Sequence, residues 1–524
     1  MKARRAARRR REYPTSYPYG AIGVLAGLCL LALLYPSLGF RAGLRHVAAG
    51  GLPYPYLCWL TAWSGAAFLL CLLDKFQALR GGPRVPGKVL SKKLDVARQK
   101  GEAYAITGMG KATLEQQLEI WQYVQEAGQA EILGTSVDSF SRVLDFTAAE
   151  QGIRESEKTG KSVLNGLPVV NHGVKGIRRI TQSVNLPVQL RYGAVDPRLI
   201  DEVGLAGGHT ATAPDGIYSF WNMNRKLPLE KSLRIHQYVM RLAGYYEERG
   251  APILLSCQGM YDGGMVPPSL VSAAALTQIL MYSEQGAKHI TFHYHLRGNL
   301  VQDVAHSRVV QKLAREYLSR SGHTDVTLYV NVALALLRYP EETGSAFAII
   351  CANSLGAKLC GAQMNDIRTP AEAVTIPTKE DIATSFRCAK MMTALLKGQK
   401  LEIDPGTLKT EGAREEKEIR LILDRVLEMG EGDVAVGAVR SVKAGILDNP
   451  FSTNSAAACK VLGIKDSEGA IRYLDTGNLP FTKDILEFHR EKIRERQKKR
   501  GQELDYATVI DDLMAISKGF LVDN

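Results

Sequence analysis

Three histidines lie at even spacings in one apolar run, HITFHYH (289–295). If the run is a strand, His289, His293 and His295 share one face, because side chains alternate with a period of two. His-x-His at a strand end is a possible pair of metal ligands, since imidazole binds zinc and similar ions. The rings can instead fill space or form hydrogen bonds to a bound molecule, and we favour this alternative. The pattern marks His293 and His295 as site candidates without fixing their role.

The eight cysteines are scattered along the chain and form no CxxC pair. This distribution argues against a disulfide scaffold and against a structural zinc site. We therefore expect reduced thiols in a cytosolic body.

Short β-rich runs alternate with longer helical patterns downstream of residue 100 or so. Helices are predicted at 114–128 and 229–250. The predicted strands are EILGTSV (131–137), PVVNH (168–172), PVQLRY (187–192), PILLSC (252–257), HITFHYH (289–295), VTLYVNV (326–332) and AFAIICA (346–352), with LAGGHTA (205–211) and KLCGA (358–362) as weaker candidates.

Eight or nine strands alternating with helices predict a parallel barrel or a doubly wound sheet. No GxGxxG follows the first strand, which disfavours the nucleotide-binding form of the second fold. We therefore predict an α/β fold, a TIM-type (β/α)8 barrel with a C-terminal α+β extension. In such a barrel the active site lies at the C-terminal ends of the strands.

The predicted organisation has four parts. They are a basic segment with a transmembrane hairpin (1–80), a linker (81–99), the barrel catalytic domain (100–399) and the C-terminal extension (400–524). Within the extension, the charged run 487–501 is predicted to be a solvated helix face.

Two uncharged stretches, 20–40 and 47–73, are each about long enough to cross a bilayer. A cleaved signal peptide and a buried helical hairpin are the alternatives. Lys and Arg cluster before the first stretch and after the second, so the positive-inside bias predicts a two-span membrane protein with both ends and the catalytic domain in the cytoplasm.

The basic charge is concentrated near the N-terminus. Residues 1–93 hold fifteen Lys or Arg against Glu12 and Asp74, a net charge of +13, whereas the whole chain carries +12. The remainder is close to neutral and shows no basic stripe, so no nucleic-acid partner is expected.

Several non-repetitive polar motifs follow one another along residues 100–524. Among them are LNGLPVVNHGVKG (164–176), VNLPVQLRYG (184–193), RTPAEAVTIPTKE (368–380) and RYLDTGNLPFTKDI (472–485). In this order they resemble the large epsilon subunit of glutamate mutase (methylaspartate mutase), an adenosylcobalamin-dependent family. The N-terminal hairpin is not part of that family's pattern.

The resemblance implies a barrel whose mouth faces adenosylcobalamin carried by a small partner subunit. It also implies a radical carbon-skeleton rearrangement of L-glutamate to 3-methylaspartate, and homodimerisation of the barrel subunit is possible. The DxHxxG motif that ligates cobalt in such carriers is missing here, since none of the ten histidines has Asp two residues before it. A separate chain should therefore supply that ligand.

The resemblance also assigns site residues. Substrate contacts are expected from Arg142 and Arg191, because guanidinium groups pair bidentately with carboxylates, and the corresponding positions add Tyr192, Ser219 and Met223. The cofactor side is expected to include Gly110, Asn171, His172, Gly173, Arg368 and Glu372.

The candidate pocket departs from the family at several positions. Gly108 replaces a third arginine, Ala213 a glutamate, Ser219 and Met223 two tyrosines, and Ala333 a histidine, while Tyr192 replaces a histidine and Arg368 a lysine. His293 and His295 stand where the family has glycine. A buried ammonium without a partner is costly, so a smaller or less polar acid is an alternative substrate.

Three functions therefore remain open. The leading one is a membrane-tethered mutase subunit of the isomerase class. The second is a catalytically altered protein that binds or senses a cobalamin partner, and the third is a metal-dependent barrel hydrolase that uses the histidine cluster.

Overall fold

The structure is a computed structural model that describes residues 88–258, 264–373 and 375–522. Eight parallel strands form one sheet in the order β1-β8-β7-β6-β5-β4-β3-β2. The two ends of this sheet approach each other, since the Ser136 amide in β2 donates to the Met109 carbonyl just beyond β1 at 2.9 Å. The strands are β1 (Tyr104–Ile106), β2 (Leu133–Ser136), β3 (Val188–Arg191), β4 (Ala211–Thr212), β5 (Leu254–Cys257), β6 (His289–Leu296), β7 (Thr327–Leu334) and β8 (Met364–Asp366).

Helices connect successive strands, as a parallel sheet requires. The arrangement confirms the predicted TIM-type (β/α)8 barrel. The helices that precede or connect the strands are α1 (Leu90–Lys100), α2 (Leu114–Glu126), α3 (Ser139–Arg142), α4 (Phe146–Thr159), α5 (Val169–Gln182), α6 (Arg198–Ala206), α7 (Gly216–Met223), α8 (Leu229–Glu247), α9 (Pro268–Glu284), α10 (Leu300–Arg320) and α11 (Thr343–Leu359), and α12 (Lys379–Leu395) follows β8.

Helix α1 packs against the barrel interior. Leu90, Leu94 and Ala97 recur on one helix face and are fully buried in a cluster with Ile106 and Leu254. These partners come from the strands, so apolar side chains fill this part of the interior.

Two predicted strands are wrong, and so is the weaker candidate 358–362, which spans the end of helix α11 and the turn after it. Residues 168–172 lead from Pro168 into helix α5, and residues 346–352 lie inside helix α11. The short strands β1 and β8 complete the set of eight instead. A short apolar run without clear alternation does not distinguish a strand from a buried helix segment.

The residues after the barrel form a mixed extension. Its elements are α13 (Pro405–Gly430), α14 (Val434–Ala444), the antiparallel pair β9 (Val461–Lys465) and β10 (Ile471–Thr476), α15 (Lys483–Arg500) and α16 (Tyr506–Ala515). The position of its boundary with the barrel stays a prediction.

Buried polar contacts attach the extension to the barrel helices. The Ser269 hydroxyl in α9 donates to Glu418 in α13 at 2.6 Å, and His306 in α10 contacts Glu415 at 3.0 Å. Helix α15 exposes much of its charged surface but buries His489 and Arg496. The run predicted as a solvated face is therefore also packed along one side.

The predicted transmembrane hairpin and membrane localisation require correction. Both proposed spans, at 20–40 and 47–73, lie outside the described residues. Within residues 88–522, apart from the short gaps, no helix combines the length and apolarity needed for a membrane span. The apolar helices α9 and α11 have 17 residues each, shorter than the roughly 20 that a bilayer requires.

Candidate functional site

A cavity of about 610 Å³ opens at the C-terminal ends of the barrel strands. Residues at or just beyond the ends of several strands line it, as expected for a TIM-type barrel. Its charged lining residues are Lys111, Arg142, Arg191, Asp366, Arg368 and Glu372.

Arg191 is the last residue of β3 and reaches across the mouth. Its Nη2 donates to Oδ2 of Asp366, the last residue of β8, at 2.7 Å. The Arg191 side chain is 24% exposed and that of Asp366 is 9% exposed. The ion pair therefore holds the guanidinium in the cavity wall while leaving part of it accessible.

Arg142 reaches the cavity from the short helix α3. The carboxylate of Asp138 caps this helix by accepting hydrogen bonds from the amides of Phe140 and Ser141, both at 3.0 Å. The Nε atom of Arg142 is buried and has no hydrogen-bond partner. A buried, unsatisfied N–H is costly, so this arginine is suited to an anionic ligand.

Gly108 lies in the same wall, at the position expected for a third arginine. A Cβ atom there would lie 2.4 Å from Oγ of Ser136 and 3.9 Å from Nε of Arg191. Ser136 must therefore move before any side chain fits at this position.

His293 and His295 both line the cavity from strand β6. Their rings stack with centroids 4.5 Å apart, and Nε2 of His293 lies 3.7 Å from Oδ2 of Asp366. Burial, with Arg191 and Arg368 nearby, lowers the pKa of His293 to about 3. Burial also lowers the pKa of His295, so both rings are neutral at physiological pH.

His289 is separated from this pair, because its Nδ1 contacts Glu247 at 2.7 Å near the start of β6. Among the residues described, no three His, Cys, Asp or Glu side chains are placed to hold a metal ion. The alternative of a histidine metal site therefore gains no support.

Three residues with predicted substrate roles, and Ala213 at the position of a family glutamate, lie outside the cavity lining. The Tyr192 hydroxyl donates to Asp201 in the barrel wall, and Oγ of Ser219 donates to the Ala194 carbonyl at 2.8 Å. Met223 packs against Gly193, and Ala213 is buried. Their placement gives no support to direct substrate contacts.

Tyr218, one residue before Ser219 in helix α7, lines the cavity instead. Successive helical side chains point in directions about 100° apart, so sequence position alone does not show which of the two faces inward. Other lining residues missed by sequence reasoning are Lys111, Asn165, Gln258, Tyr339 and Asp366.

The predicted cofactor contacts divide into two groups. Gly110, Arg368 and Glu372 line the cavity, as does Ala333. Asn171, His172 and Gly173 are not in the lining, and the Nε2 atom of His172 contacts the Ala112 carbonyl at 2.8 Å. The structure therefore brings together only part of this predicted set.

Gly110 is positioned by a close approach of two backbone segments. A Cβ atom there would lie 2.5 Å from Cα of Gly166 and 2.6 Å from the Ser136 carbonyl oxygen. Glycine at this position therefore allows the two backbone segments to pack against each other at the rim of the cavity.

Arg368 and Glu372 form an ion pair at the same mouth, with 3.6 Å between Nη1 and Oε2. Burial raises the pKa of Glu372, whereas Arg368 and the Thr369 amide oppose that shift. The two side chains offer a hydrogen-bond donor and an acceptor toward a polar ligand.

The chain is similar to the members of one protein family. The profile of the methylaspartate mutase E chain (MutE) family matches residues 85–524. The chain is 40% identical over 439 residues to the glutamate mutase epsilon subunit of Desulfitobacterium hafniense (strain Y51), covering 83% of this chain and 90% of the relative. It is 36% identical to the subunit of the same name from Treponema denticola, with coverage of 83% and 90%. The identity to that of Halobacterium salinarum is 35%, with coverage of 79% and 86%.

Proposed function

The chain belongs to the methylaspartate mutase E chain family, and on that premise we propose that it is the large subunit of a coenzyme B12-dependent isomerase. The proposed reaction converts L-glutamate to 3-methylaspartate, or rearranges a related smaller or less polar acid. The observation that carries this proposal is the placement of Arg142 and Arg191 in one cavity at the barrel mouth.

The two arginines suit a substrate with carboxylate groups. Guanidinium pairs with a carboxylate through two parallel hydrogen bonds, which fixes orientation as well as charge. Arg191 is held by Asp366 at 2.7 Å, and Arg142 has an unsatisfied buried Nε atom. Their role in this chain is to bind and orient the acid before the reaction.

We assign adenosylcobalamin to a small partner subunit that docks at the mouth. Gly110, Arg368 and Glu372 line the mouth where such a cofactor would dock, and Gly110 lets the backbones of Gly166 and Ser136 pack closely at this rim. Glu372 and Arg368 are candidates to hold the hydroxyl groups of an adenosyl moiety. When bound, the cofactor supplies the adenosyl radical that takes and returns a hydrogen atom.

The remaining contribution of this chain is to keep water away from the reacting atoms. The cavity wall includes apolar side chains such as Met109, Ile350 and Ile367, all almost fully buried. A docked partner would cover the open side. Exclusion of water protects reactive intermediates from side reactions.

The proposal is tested with the full chain, the small cobalamin-binding subunit of a glutamate mutase, and adenosylcobalamin. Addition of L-glutamate should produce a cob(II)alamin signal in electron paramagnetic resonance, and 3-methylaspartate should be detected by NMR. Related acids are then tested in the same mixture. If no acid produces the signal although the subunits associate, the isomerase proposal is wrong and a binding role is favoured.

A further inference from the structure

The charged groups of the cavity are unequally paired. Of the residues that the structure describes, four cationic side chains and two carboxylates line it, namely Lys111, Arg142, Arg191 and Arg368 with Asp366 and Glu372. Each carboxylate contacts one arginine, Asp366 with Arg191 at 2.7 Å and Glu372 with Arg368 at 3.6 Å. The carboxylates of the lining are therefore already engaged by cations.

Lys111 and Arg142 are the remaining cations of the lining. Within the described residues neither forms an ion pair with a carboxylate. Lys111 is half-buried, and this burial lowers its pKa. Two cationic groups near one cavity favour a ligand with two negative charges.

Among the described lining residues, no carboxylate is left for an ammonium group, because Asp366 and Glu372 each pair with an arginine. Asp366 is only 9% exposed and lies between Arg191 and the ring of His293. His293 is neutral, and Tyr218 and Gln258 are uncharged lining residues. A desolvated ammonium without its own carboxylate would lose binding free energy.

We infer that this cavity selects a short dicarboxylic acid without an ammonium group over the amino acid of the same chain length. The inference rests on the proposed function of the same site and specifies its substrate class. Arg142 and Lys111 supply the unmatched positive charge, Arg191 orients one carboxylate, and His293 offers a neutral hydrogen-bonding group.

Glutarate and L-glutamate are a matched pair of probes, because they share five carbons and two carboxylates and differ by the ammonium group. Their binding to the full chain is measured by isothermal titration calorimetry, alone and with the cobalamin partner. Glutarate should bind at least tenfold more tightly. Equal affinity, tighter binding of L-glutamate, or no binding of either acid would overturn the inference.

Two variants test which residues set this preference. Arg142→Met should weaken glutarate binding at least tenfold, whereas Arg154→Met, on the exposed surface of α4, should leave it unchanged. Gln258→Glu adds a carboxylate to the cavity with little change in size and should lower the ratio of glutarate to L-glutamate affinity at least tenfold. The neutral control Gln258→Met should not shift that ratio toward L-glutamate.

The binding measurements and the test of the proposed function can give different outcomes. A cob(II)alamin signal with L-glutamate, combined with tight L-glutamate binding, would retain the isomerase and remove this substrate class. A strong glutarate preference without any radical signal would retain the substrate class and remove the isomerase.

Discussion

Arg191 and Asp366 join two non-adjacent strands, β3 and β8, through a 2.7 Å contact between Nη2 and Oδ2 at the barrel mouth. The same Asp366 oxygen lies 3.7 Å from Nε2 of His293 on β6. One carboxylate thus links the arginine expected to bind substrate with the histidine pair. It fixes the guanidinium but also neutralises part of the charge that a substrate carboxylate would meet.

Replacement of Asp366 by Asn should increase affinity for a dicarboxylate, because the amide keeps the size of the side chain and removes its charge. We expect the Kd of glutarate to fall about threefold to tenfold, equivalent to about 0.7–1.4 kcal/mol. Asp196→Asn, which removes the partner of Arg198 outside the cavity, is the control. Weaker glutarate binding in Asp366→Asn would show that Asp366 mainly positions Arg191.

Arg191→Lys should lower kcat/KM by about tenfold to a hundredfold, a loss of about 1.4–2.7 kcal/mol. Lysine keeps the charge but lacks the planar fork needed for simultaneous contact with Asp366 and a substrate carboxylate. Arg198→Lys is the matched control, since Arg198 pairs with Asp196 on the surface. The measurement is steady-state turnover of the acid that gives the radical signal, and a change below twofold in Arg191→Lys would contradict the assigned role.

The barrel was predictable because its longest strands carry clear patterns. HITFHYH and VTLYVNV are β-rich and correspond to β6 and β7, the two eight-residue strands. Residues 346–352 were wrongly predicted as a strand and form part of a helix. These residues are all apolar, so the alternation that identifies a half-buried strand is missing. Strand β1 was missed because three residues are too few for a periodic signal.

The position of a candidate site residue was predictable where that residue ends a strand. Arg191 ends β3, so its place at the mouth follows from the strand prediction. Tyr218 was missed because its direction depends on the rotation of helix α7. The substrate role of Tyr192 stays a prediction, and its hydroxyl turns into the wall toward Asp201. Helix rotation and side-chain direction are set by tertiary packing, which the local sequence does not specify.

Asp201 should make folding stability depend on pH. Burial raises its pKa to about 7, although Thr212 and Tyr192 oppose the shift through hydrogen bonds. The native state therefore keeps a proton that the unfolded state releases near pH 4. The free energy of unfolding should fall as pH rises from about 4 to about 7, by at most about 1.4 kcal/mol per unit from this group.

Asp201→Asn tests this dependence, since an amide does not titrate. Urea unfolding at one-unit intervals from pH 4 to pH 9 should give a less negative slope for the variant than for the native protein below pH 7. Above about pH 8 the difference between the two proteins should become constant. Identical slopes from pH 4 to pH 7 would refute the raised pKa.

Gly110→Ala should lower the stability of the fold and distort the mouth of the barrel. The added Cβ would lie 2.5 Å from Cα of Gly166 and 2.6 Å from the Ser136 carbonyl oxygen, and both are backbone atoms that cannot rotate away. Overpacking of this kind costs about 1–3 kcal/mol of stability, which urea unfolding will measure. We also expect the cob(II)alamin signal with partner subunit and substrate to drop at least tenfold.

Gly412→Ala in helix α13 is the control, because its Cβ would meet Val309 at an ordinary 3.4 Å. Alanine also favours a helix by up to about 1 kcal/mol. A Gly110→Ala protein with native stability and an undiminished radical signal would show that the backbone segments separate easily and that their close packing is not needed for the reaction.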